Sequence, residues 1–217
     1  CRGSTFRALR QYENAIAEYQ RAIADYLASG GASSRADLAA AYNSLGVTCL
    51  EQGDCEQAVA SCGRAIQLFT EKGELTSDQL GSLAVAHNNR GEAYRRLGAL
   101  ASAQQEYGLA AAVYQKLTDE HGRIDLFSDL GLTRINRAAV SAELGDYPAA
   151  VEEATAAIEI LEVLAQGDTA LHAQLAWAYS CRAEAQRSLG NLQAALADAG
   201  EAIDRYTILV EDLEHRY

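Results

Sequence analysis

Residues able to do chemistry are plentiful in this chain, but their spacing argues for contacts between helices and not for turnover. The four histidines, His87, His121, His172 and His215, are scattered. No H-E-x-x-H, no G-x-S-x-G and no phosphate-cradling glycine loop occurs, so the common hydrolase and nucleotide-site patterns are missing. The 30 acidic residues are spread along the chain, with no pair set apart for acid–base work. Five cysteines, Cys1, Cys49, Cys55, Cys62 and Cys181, include no C-x-x-C and no zinc spacing. Cys49 and Cys62 are expected inside, as small core residues, with a disulfide between them as the alternative. The odd count leaves at least one thiol free or bonded to another molecule. The expectation is a non-enzymatic chain with no catalytic residue, no cofactor and no metal site.

One arrangement of charge does recur. Arg2, Arg90, Arg137 and Arg182 are each followed sixteen residues later by an acid: Glu18, Glu106, Glu153 and Asp198. Where the arginine is replaced by Leu45, the acid is replaced by Ser61. Sixteen residues of one straight helix would hold such groups far apart, so a pair requires the chain to fold back on itself. The columns predict an arginine–carboxylate pair between two antiparallel helices, with a structural role and the capacity for bidentate contact. The alternative is coincidence between two surface columns.

The elements that must position these groups show in the small residues. Gly3, Gly46, Gly91, Ala138 and Ala183 recur at spacings of 43, 45, 47 and 45. Twelve residues after each stands an alanine: Ala15, Ala58, Ala103, Ala150 and Ala195. Nineteen after stands another: Ala22, Ala65, Ala110, Ala157 and Ala202. Seven after come Arg10, Gly53, Gly98, Gly145 and Gly190. Leu38, Leu83, Leu130 and Leu175 hold the column eight before the anchor. Two helices approach closely only where side chains are small, and glycine between two periodic segments ends a helix and permits a turn.

This pattern resembles the tetratricopeptide repeat, a helix-turn-helix unit, over nearly the whole chain. Its period exceeds the usual ~34 residues and is more similar to long-period arrays of the kinesin light chain and LGN type. The resemblance implies an all-α, right-handed α-solenoid of about five pairs in a single domain. The repeats fall at approximately 1–31, 35–74, 78–119, 125–166 and 169–215. Ser33 or Ser34 is expected to cap the helix from about 35, and Asp168 the helix from about 169.

Composition agrees with a packed helical chain. Of the 217 residues, 49% are hydrophobic and 22% charged, and the one proline, Pro148, falls where a helix should start. No apolar run approaches the ~20 residues of a membrane span. The net charge of −12 disfavours nonspecific nucleic-acid binding and favours solubility and a basic partner, the alternative to the latter being simply a solvated acidic exterior. No methionine occurs, which points to a fragment, a processed chain or a sequence obtained without a gene.

In arrays of this type the first helix of each pair lines the concave face. Asn43, Asn88, Asn89 and Asn136 fall at its columns, where in relatives an asparagine ladder holds an extended peptide; the match fails at Ser180 and Cys181. Asparagine both donates to and accepts from a peptide backbone. Arg95, Arg96, Arg187 and Trp177 share this face, and Ile135 is expected there too. The alternative is that the asparagines bond neighbouring helices or water, and that Trp177 packs between helices. The expected function is a scaffold binding a peptide or protein, with no nucleic acid and no membrane span. The second expectation is a structural subunit that associates head to tail, through the apolar stripe Ile203, Tyr206, Leu209 and Val210, into a filament or ring.

Overall fold

The protein is described by a computed structural model over residues 2–29, 35–71, 74–166 and 168–216. Cys1 and the expected cap at Ser33 or Ser34 lie outside the described residues. The regular structure among them is helical: α1 (Arg2–Ala8), α2 (Tyr12–Ser29), α3 (Arg35–Gln52), α4 (Cys55–Thr70), α5 (Ser77–Arg96), α6 (Leu100–His121), α7 (Phe127–Glu143), α8 (Tyr147–Ala165), α9 (His172–Ser188) and α10 (Leu192–Arg216). Short 3-10 turns, Ile124–Leu126 and Thr169–Leu171, precede α7 and α9. The fold class is therefore the expected one, all-α with helix-turn-helix repeats. The chain forms two compact units, Cys1–Val113 and Tyr114–Tyr217. In the first, α1 pairs with α2 and α3 with α4, and α5 lies against α3 and α4. In the second, α7 pairs with α8 and α9 with α10, and α9 lies against α7 and α8.

The turn column sets each hairpin. Gly53, Gly98, Gly145 and Gly190 have φ of 97°, 75°, 82° and 82°, the left-handed region that closes a helix. In the first copy Arg10 takes that place, with φ 57°. In all five turns the next amide reaches the carbonyl five residues back at 2.9 Å, from Gln11 to Phe6 through Asn191 to Gln186. Helix starts are also fixed locally. The Asp54 carboxylate accepts from the Gln57 amide at 3.0 Å, and Asp146 accepts from Ala149 at 3.2 Å ahead of Pro148. Thr76 and Gln79 form a reciprocal capping box at α5. Asp168 caps the 3-10 turn rather than α9 itself, accepting from the Ala170 amide at 2.9 Å.

The alanine columns are the seams. Ala15, Ala58, Ala103 and Ala150 are fully buried, as are Ala65, Ala110 and Ala157. The anchors reveal a size match. A Cβ on Gly3 would lie 2.8 Å from the Tyr19 ring, one on Gly91 3.0 Å from the Tyr107 ring, and one on Gly46 would collide with the Cys62 sulfur. Each of those partners lies sixteen residues after its anchor, and in the copies anchored by Ala138 and Ala183 the same column holds Ala154 and Ala199. A tyrosine or a cysteine faces glycine and an alanine faces alanine, so the helices approach closely in either case.

Two corrections concern buried residues. Cys49 and Cys62 are both buried and both free thiols, so the disulfide alternative does not hold. Ile135, expected on the binding face, is fully buried in a core with Leu161, Leu175 and Tyr179.

Candidate binding face

The recurrent charges meet between paired helices. Arg90 Nη2 donates to Glu106 Oε1 at 2.6 Å, and Arg137 Nη1 to Glu153 Oε1 at 2.5 Å. Arg182 grips Asp198 with a two-pronged fork, Nε at 2.9 Å and Nη2 at 2.7 Å. The three carboxylates are buried. Arg2 and Glu18 make no such pair among the described residues; Arg2 is exposed in the first turn of α1.

A second donor completes two of these clamps, three residues before the arginine on the same helix face. His87 Nδ1 lies 2.8 Å from the other oxygen of Glu106, and Arg134 Nη1 lies 3.0 Å from that of Glu153. In the last copy this column holds Tyr179, whose ring stacks with the Arg182 guanidinium at 5.3 Å and whose hydroxyl donates to Glu162 at 2.6 Å. Burial pushes the Glu106 carboxyl up, but the hydrogen bonds from His87 and Arg90 and the Arg90 charge outweigh it. Its pKa therefore lies below the ordinary value. Sequence reading missed this column because its residues differ in type; only the three-residue spacing to the arginine column betrays it.

The first helices of neighbouring pairs form the candidate face within each unit. On α3 and α5, Asn89 Nδ2 donates to Asn43 Oδ1 at 3.2 Å, and both side chains are half-buried. Asn88 and Asn136 are half-buried too, and both have polar partners. Glu92 gathers a fan of donors: Arg95 Nε at 3.0 Å, Arg96 Nε at 2.6 Å and the Tyr107 hydroxyl at 3.0 Å. Burial opposes ionisation of Glu92, yet these donors hold its pKa below the ordinary range. Arg96 also donates to the Leu50 carbonyl of α3 at 3.0 Å, tying α5 to its neighbour. In the second unit Trp177 is 36% exposed on α9, and the exposed Arg187 pairs with Glu184 at 2.5 Å. Among the described residues no group of three or more histidine, cysteine or carboxylate side chains could hold a metal. Nor, among the described residues, is any helix long and apolar enough to cross a membrane.

Residues 1–71 match a family model described as tetratricopeptide repeat. Three copies beyond that stretch repeat its small-residue columns and its left-handed turn. Over residues 1–71 the helical unit is the tetratricopeptide repeat. Solved structures carry the same fold at low identity. MamA is 18% identical with a TM-score of 0.60, over 99% of this chain and 97% of that one. A putative kinesin light chain of Podosopora anserina with nearly identical repeats is 15% identical, TM-score 0.68, over 94% and 91%. The apo form of RapI is 13% identical, TM-score 0.74, over 94% of this chain and 51% of that one. No curated protein matches the sequence. Of the asparagines expected on the face, Asn43 and Asn89 are joined to each other, a bond that depends on the register of α3 against α5.

Proposed function

We propose that this chain is a non-enzymatic protein-interaction scaffold that takes a peptide or protein segment on the face of its first helices. In the first unit the contact residues are Asn43, Asn88, Asn89, Arg95 and Arg96; in the second they are Asn136, Trp177 and Arg187. The observation that carries the reading is the gathering of Asn43, Asn88, Asn89, Arg95 and Arg96 on the adjoining first helices α3 and α5; the Asn89–Asn43 hydrogen bond is itself the helix-to-helix contact that the alternative reading expects. Each amide fixes the orientation of the other, so a donor and an acceptor are held ready for an extended backbone at little further entropic cost. Glu92 does the same for Arg95 and Arg96, holding two guanidinium groups in one place on the face. The tetratricopeptide repeat supports the reading as a fold that presents stacked helices for contact.

Trp177 is the sole tryptophan, so its fluorescence reports occupancy of the second unit's face. An arrayed library of extended peptides screened against the chain should yield binders that quench or shift that emission. Asn89→Ala with Asn136→Ala should reduce affinity for the selected peptide by at least about tenfold, with helix content by circular dichroism unchanged. Undiminished affinity in that double variant would refute the assignment.

A further inference from the structure

We draw no further inference here: the strongest candidate, the polar cavity of about 530 Å³ that Glu162, Thr169, His172 and Arg205 line between α8, α9 and α10, singles out no ligand, because its groups already pair with their neighbours, Arg205 with Glu201, Glu162 with the Tyr179 hydroxyl and Thr169 with Asp212, while the nitrogens left without a partner, His172 Nδ1 and Arg205 Nε, are sealed from solvent.

Discussion

The pairs α3/α4 and α5/α6 do the same structural task with opposite chemistry. Where α5 and α6 hold half-buried Arg90 with buried His87 and Glu106, the first of these pairs has Leu45, Tyr42 and Ser61. Both pairs close on the same alanine columns and turn through the same left-handed glycine. Closure therefore rests on small residues and turns, and the charges are an added constraint. A buried ion pair gains little over a well-packed apolar contact, but losing one partner strands the other in a medium that cannot solvate it.

The largest effect should come from breaking that constraint on one side only. Glu106→Ala leaves Arg90 and His87 without their acceptor and should lower stability by about 3–5 kcal/mol in urea titration. Copying the apolar pair into α5/α6, as His87→Tyr, Arg90→Leu and Glu106→Ser together, should restore more than half of that loss. A triple variant no better than Glu106→Ala would mean that the two pairs are not interchangeable solutions.

The size match offers the next test. Gly46→Ala drives a methyl group into Cys62 and should cost about 1–3 kcal/mol. Adding Cys62→Ala reproduces the Ala138–Ala154 combination and should recover most of it. Independent, additive losses would refute the coupling.

Acid should sharpen the contrast further. Glu106 and Glu92 hold protons more weakly in the folded chain than the ordinary value of 4.5. Protonation therefore favours unfolding: their stabilisation is complete above about pH 4.5 and is lost as pH falls through the depressed folded values. The urea midpoint should drop over that window, and the drop should be smaller in Glu106→Gln. An identical pH profile in that variant would contradict the assignment.

The smallest effect concerns Arg10, which has a side chain at φ 57° where four other copies have glycine. Arg10→Gly should stabilise by about 0.5–1 kcal/mol, since relief of left-handed strain exceeds the added freedom of the unfolded chain. A loss of stability would show that the Arg10–Tyr12 contact outweighs the strain.

The fold and the carboxylate clamps were legible because each depends on one column repeated with the same chemistry: small at the anchor, glycine at the turn, arginine opposite acid. The second donor was hidden because histidine and arginine serve it alike. The binding face was legible only as a set of positions. Whether Asn89 meets Asn43 depends on the register between helices 46 residues apart in sequence, which no single repeat encodes. Ile135 misled for a related reason: its column faces outward in a generic repeat, but here it turns into the core beneath α9.

The matched sizes at the anchor and its partner also decide which parts of this chain could be exchanged. A first helix and a second helix are compatible only within one size class. Grafting α5, with Gly91, onto α8, with Ala154, would leave a hollow where Tyr107 belongs. Grafting α7, with Ala138, onto the start of α6 would force a methyl group into that ring. As far as this contact decides, recombination between copies can exchange whole hairpins, and single helices only between copies that share a class.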